Sequence, residues 1–130
     1  MPKEVFKKKK EKKENKGKVG KMKIIQNQKN PNQIFSKFVN SNKDVLCLYH
    51  WKECGYCREF APIWDNVIRQ MKDKINVVSI ELEGIRGLES KYSVVSFPTI
   101  LIYRNGERFK EFNKNRNEKE LMKFIDSYLI

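Results

Sequence analysis

The sequence predicts an α/β domain, a mixed central sheet of about five strands flanked by helices, behind a basic N-terminal tail. Three observations carry this expectation. Past residue 30, near-continuous apolar runs of strand length alternate with stretches whose apolar residues recur every three or four positions. An Asn-Gly pair separates the last two strand-like runs. The charge is lopsided: residues 1–30 hold twelve lysines against three glutamates, a local +9, which leaves only +3 of the net +12 to residues 31–130.

At 130 residues and 39% apolar composition the chain is one domain's worth, with a single core. Residues 1–23 have too few apolar side chains and too much self-repulsion to offset the entropy of ordering, so they read as a disordered lysine-rich tail and residues 24–130 as the folded domain. The tail has three readings: phosphate attraction that binds nucleic acid or another polyanion without sequence selectivity, a role in targeting, or a solvated tail with no partner. It carries no aromatic residue beyond Phe6, so stacking on single-stranded bases is not indicated. Val19 and Ile24-Ile25 stand isolated among lysines, unlike the apolar stretch of a secretory signal, and no run approaches membrane-spanning length. The expectation is an intracellular, cytoplasmic protein that does not enter a membrane and whose domain is monomeric. Three cysteines and one histidine do not make a disulfide scaffold.

The elements follow in order. Met22 to Gln26 is a short strand, and Asn32 to Asn40 a short amphipathic helix with Ile34, Phe35, Phe38 and Val39 on its apolar side. Asp44 to His50 is an apolar run of the kind found in a central strand buried on both faces. Cys54 to about Lys72 repeats apolar residues at helical spacing (Phe60, Ile63, Trp64, Val67, Ile68, Met71), with Pro62 expected to kink it. Ile75 to Leu82 reads as another buried strand and Ile85 to Tyr92 as a short helix or helical turn. Thr99 to Tyr103 and Arg108 to Phe112 form a hairpin about Asn105-Gly106. Asn117 caps a last helix, with Glu120 completing a capping box and Leu121, Phe124, Ile125, Tyr128 and Leu129 as its apolar stripe.

The pair Cys54-Gly55-Tyr56-Cys57 lies between the central strand and the long helix. A cysteine at a helix N-terminus faces unpaired N–H groups and the positive end of the dipole, which stabilise the thiolate that attacks disulfides. Cys54 is then the exposed nucleophile and Cys57, one turn behind, the resolving thiol. Glu53 opposes charge on Cys54, while His50, Lys52 and Arg58 favour it; the helix terminus tips the expectation toward a lowered pKa. A different use of the same residues would set Cys47, His50, Cys54 and Cys57 around zinc. Cys47 and His50 are three apart on a strand and point to opposite faces, which argues against it. Cys47 reads as a small core residue.

Cys54-Gly55-Tyr56-Cys57, the segment Tyr92-Ser93-Val94-Val95-Ser96-Phe97-Pro98-Thr99 about 40 residues on, and the Asn105-Gly106-Glu107 turn together resemble the thioredoxin superfamily over roughly residues 24–130. The resemblance implies a thioredoxin-like fold and thiol-disulfide exchange with protein disulfides and dithiols, needing no organic cofactor and no metal. It implies that Pro98 is cis and lies against the cysteines, presenting the backbone of Phe97 to an extended substrate. Tyr56, where thioredoxins usually have proline, is similar to the active site of a bacterial disulfide isomerase. Phe112-Asn113-Lys114-Asn115-Arg116 resembles a segment of protein disulfide isomerase domains in which an arginine, here Arg116, modulates the resolving cysteine. Trp51 and Tyr56 are candidates for an apolar lip that meets substrate, or for packing residues. Two positions depart from the family: Leu48 replaces a buried acid six residues before Cys54, and no lysine stands in Ile75 to Leu82 to partner one. Proton transfer at Cys57 would then use water or Arg116. The lysine- and asparagine-rich composition also resembles thioredoxin-like proteins of some large DNA viruses, so packaging in a virion is an alternative location. The competing functional class is a non-catalytic scaffold of the same fold that holds nucleic acid or an acidic partner through its basic tail.

Overall fold

The computed structural model describes residues 20–26, 28–81 and 94–130. Within them the elements run β1 (Met22–Ile25), α1 (Pro31–Ser41), β2 (Asp44–His50), α2 (Gly55–Met71), β3 (Asn76–Glu81), β4 (Thr99–Arg104), β5 (Glu107–Glu111) and α3 (Glu118–Leu129). The five strands lie in the order β1-β3-β2-β4-β5. β1 and β2 both run parallel to β3, while β4 is antiparallel to β2 and β5 to β4. The sheet is therefore mixed, as the sequence predicts, and α2 is the crossover between the parallel pair β2 and β3.

The two faces of the sheet bury different residues because side chains alternate along each strand. On one face Leu46, Leu48, Val77, Ile100 and Ile102 pack with Phe60, Trp64, Val67, Ile68 and Met71 of α2 and Leu121, Ile125 and Leu129 of α3. On the other face Cys47, Tyr49, Val78, Ile80, Leu101 and Tyr103 pack with Phe35, Phe38 and Val39 of α1. β2 is central, and all five residues from Val45 to Tyr49 are buried. That double burial explains why its sequence shows no polar alternation. The outer strand β5 is exposed throughout and bears Glu107, Arg108, Lys110 and Glu111, charges that discourage pairing with another chain.

Several local expectations meet small differences. β1 starts at Met22, inside the stretch assigned to the tail by composition, and the Gly20 N–H already donates to the Asp73 carbonyl at 3.3 Å. A Cβ on Gly20 would come within 2.0 Å of the Lys72 carbonyl oxygen, so close backbone packing continues ahead of the strand. α2 runs on through Pro62 from Gly55 to Met71. Asn105 and Gly106 both have positive φ, 54° and 82°, the backbone of the tight hairpin turn that Asn-Gly favours. Asn117 caps α3 by accepting the Glu120 N–H at 2.8 Å. The return half of the expected capping box is replaced: the Asn117 N–H donates to the Asn115 carbonyl at 2.9 Å. The lysine-rich tail up to Val19 and the helical turn expected at Ile85 to Tyr92 lie outside the described residues.

Candidate functional site

β2 delivers the chain to the site, and a turn over Trp51–Glu53 hands it to α2. The Cys54 N–H donates to the Trp51 carbonyl at 3.0 Å, and the Arg58 guanidinium closes the turn by donating to the Lys52 carbonyl at 2.9 Å. Cys54 is thereby held as the N-cap of α2 with extended backbone, and its sulfur accepts the Cys57 N–H at 3.1 Å. A sulfur in this position satisfies one of the orphan donors of the first helical turn and faces the positive end of the dipole.

All three cysteines are free thiols, in three different settings. Cys54 is partly exposed, Cys57 is 8% exposed, and Cys47 is fully buried on the opposite face of the sheet among the α1 contacts. Burial pushes the Cys47 thiol well above its ordinary range, which suits a core residue. Burial, then the hydrogen bond with the Cys54 sulfur, pushes Cys57 up from its ordinary 9.0 to about 12; a hydrogen bond from the Trp51 backbone and the charge of Arg116 act in the other direction. Among the described residues no three His, Cys, Asp or Glu side chains converge as a metal site, so the Cys47-His50-Cys54-Cys57 arrangement for zinc does not form.

The loop before β4 completes the site. The Phe97–Pro98 peptide is cis, and the Phe97 carbonyl accepts the Cys54 thiol at 3.4 Å across 43 residues of sequence. Pro98 is buried, Phe97 is half-buried against the α1-side core, and Val95 just ahead of them is 92% exposed. From the other side, the Arg116 guanidinium lies 5.5 Å from the centroid of the Tyr56 ring, which is itself 63% exposed. Trp51 is half-buried and reaches the cysteines through its backbone. The structure thus gathers Cys54, Cys57, Pro98, Phe97, Tyr56, Arg116 and the Trp51 backbone around one helix terminus.

Beneath the cysteines a cavity of about 580 Å³ opens between α2 and the sheet, lined among others by Leu48, His50, Cys57, Trp64, Ser79 and Pro98. His50 ends β2 and is the parallel-register partner of Glu81, which is 6% exposed at the end of β3. Burial lowers His50 from its ordinary 6.5, and the Glu81 charge works in the opposite direction. Glu81 and Ser79 have no signal in the sequence as site residues. Their approach to His50 and Leu48 depends on the β2–β3 register, which no local pattern specifies.

The comparisons with known proteins agree with this geometry. A family model described as Thioredoxin matches residues 22–127. The chain is 35% identical over 101 residues to the chloroplastic thioredoxin Y1 of Arabidopsis thaliana, which covers 75% of this chain and 59% of that protein. It is 30% identical over 95 residues to protein disulfide isomerase-like 2-3 of Oryza sativa subsp. japonica, covering 73% of this chain and 22% of that one. It thus spans about three fifths or less of the length of these relatives. In fold it is similar to the oxidised thioredoxin of Plasmodium falciparum in solution, with a TM-score of 0.67 at 20% identity over 84% of this chain and 99% of that one. The J-Trx1 fragment of ERdj5 gives a TM-score of 0.73 at 19% identity, over 83% of this chain and 50% of that one. With a five-stranded mixed sheet of this order and a family match over most of its length, the chain belongs to the thioredoxin family.

Proposed function

We propose that this protein is a thiol-disulfide oxidoreductase that exchanges disulfides with protein substrates through Cys54 and Cys57. The observation that carries the reading is the asymmetry of the pair. The Cys54 sulfur sits at the helix N-terminus with an N–H directed at it, while the Cys57 thiol is buried and held protonated up to about 12. The exposed thiolate attacks one sulfur of a substrate disulfide, forming a mixed disulfide and releasing the other substrate sulfur as a thiolate. Cys57 then loses its proton and attacks Cys54 Sγ, closing the Cys54–Cys57 disulfide and freeing the second substrate thiolate. Run backward, the same steps oxidise a dithiol.

The Phe97 carbonyl meets the Cys54 thiol, and Phe97 and Pro98 are assigned to presenting the backbone to an extended substrate, with Tyr56 and Trp51 contributing apolar contact. Arg116 is assigned to easing ionisation of Cys57, a role supported by the direction in which its charge acts. Tyr56 between the cysteines favours disulfide exchange or formation over strong reduction. The reduction potential of the pair, measured by equilibration in glutathione buffers and thiol trapping, tests the reading. A value near about −270 mV would make the protein a reductant, and about −180 to −120 mV an isomerase or oxidase. Failure of the pair to form a disulfide at any poise would sink the enzymatic reading.

A further inference from the structure

The Cys57 thiol must give up its proton before it can resolve a mixed disulfide, and the cavity under it shows where that proton can go. Side chains of β2 and β3 that face α2 include Leu48, His50, Ser79 and Glu81. Leu48 and Ser79 are register partners, and neither ionises in the working range. Among the described residues, the remaining ionisable groups lining the cavity are Cys57, His50, Asp65, Arg69 and Lys72. Asp65 is eight residues along α2 from Cys57, about 12 Å of helical rise, and Arg69 and Lys72 are farther. His50 shares the cavity lining with Cys57 and ends β2, four residues before Cys54.

We propose that His50 is the proton acceptor for Cys57, with Glu81 as the buried carboxylate that holds the imidazolium once it forms. This deepens the oxidoreductase reading and rests on it. As Cys57 attacks Cys54 Sγ, its proton passes to His50, directly or through one water in the cavity, and the electron pair of the breaking bond leaves with the substrate thiolate. His50 returns the proton to solvent after the substrate departs. In the reverse direction the imidazolium protonates Cys57 as it leaves the disulfide. Burial keeps His50 neutral and able to accept a proton at neutral pH, while Glu81 keeps it basic enough to do so. Among the described residues, the charged groups that face His50 from the packed elements are Glu81 on β3 and Cys57 on α2, with Asp65, Arg69 and Lys72 along the far cavity wall; β1 and the described residues 94–98 contribute none to the lining.

Dithiobis(nitrobenzoate) separates the steps with the full chain. Cys54 attack releases a first equivalent of coloured thiol, and Cys57 resolution a second. The second phase of the wild type should show an inflection below the usual histidine range. His50→Leu should lose that inflection and slow the second phase on the order of 10²-fold at neutral pH. Glu81→Gln, which keeps the volume, should move the inflection to lower pH. His50→Ala should regain rate in proportion to added imidazole, a response that a purely structural histidine does not give. Release of only one equivalent by the wild type would overturn the oxidoreductase reading itself. Two equivalents from the wild type, with His50→Leu matching its second-phase rate and pH profile, or no imidazole rescue of a folded His50→Ala, would overturn the role of His50 alone.

Discussion

The Arg116 guanidinium lies over the face of Tyr56, 5.5 Å from the ring centroid, and its charge acts on the Cys57 thiol. One arginine therefore links the residue between the cysteines to the resolving cysteine, across 60 residues of sequence. The cation favours ionisation of Cys57, the thiol that resolves the mixed disulfide in the proposed cycle.

Arg116→Ala should raise Cys57 still further above its ordinary range and slow mixed-disulfide resolution at fixed pH, because less thiolate is present. Tyr56→Ala should act in the same direction through a less firmly placed Arg116. An exposed cation–π contact is worth about 0.5–1 kcal/mol, so the effect should be about two- to fivefold. In the Arg116→Ala background the Tyr56 substitution should add nothing to the resolution rate; full additivity would show that the stack does not position Arg116.

Stability should depend on pH through the same site. The folded Cys57 pKa is raised from 9.0 to about 12, so the folded state binds the proton more tightly. The resulting stabilisation is present below about 9 and is lost as pH rises toward 12. Urea unfolding of the reduced protein should show this decline; Cys57→Ala should make it shallower, and the part that remains belongs to the buried Cys47 thiol, which burial also raises. His50 works at the other end. Its folded pKa lies below 6.5, so its contribution is present above that value and falls away on acidification. His50→Gln should flatten that limb of the profile.

The β4–β5 turn offers a steric test. Gly106 has φ of 82°, and a Cβ there would lie 2.1 Å from Oδ1 of Asn40 at the end of α1. Gly106→Ala combines backbone strain with this clash and should cost about 1–3 kcal/mol by urea unfolding. Asn40→Ala should recover the steric part of that loss and leave the backbone part.

Arg104 joins three elements. It is ion-paired with Asp44 at the start of β2, donates to the Tyr128 carbonyl at 2.8 Å near the end of α3, and lies 4.0 Å from the centroid of the Phe109 ring on β5. The pair is partly exposed, so screening limits its worth. Arg104→Met, which keeps the stem, should lower stability by about 1–2 kcal/mol. A loss below about 0.3 kcal/mol would show that solvent replaces these contacts.

The sequence by itself determined the elements and the chemistry that neighbouring residues settle between themselves. The apolar runs specify β2, β3 and β4 because central strands need no polar face. The three- and four-residue spacing specifies α1, α2 and α3, Asn105-Gly106 specifies the hairpin, and the strand-to-helix switch at Cys54 places its sulfur at a helix terminus. Pro98 and Arg116 carry no local pattern that marks them and stand out only by resemblance to the family. Only the tertiary structure decided that the Phe97 carbonyl meets the Cys54 thiol, that Arg116 covers Tyr56, and that Glu81 stands beside His50 over a cavity shared with Cys57. Turn geometry and periodicity are written in adjacent residues. Register and docking come from the summed burial of many distant side chains, so the partners they bring together carry no mark of one another in the sequence.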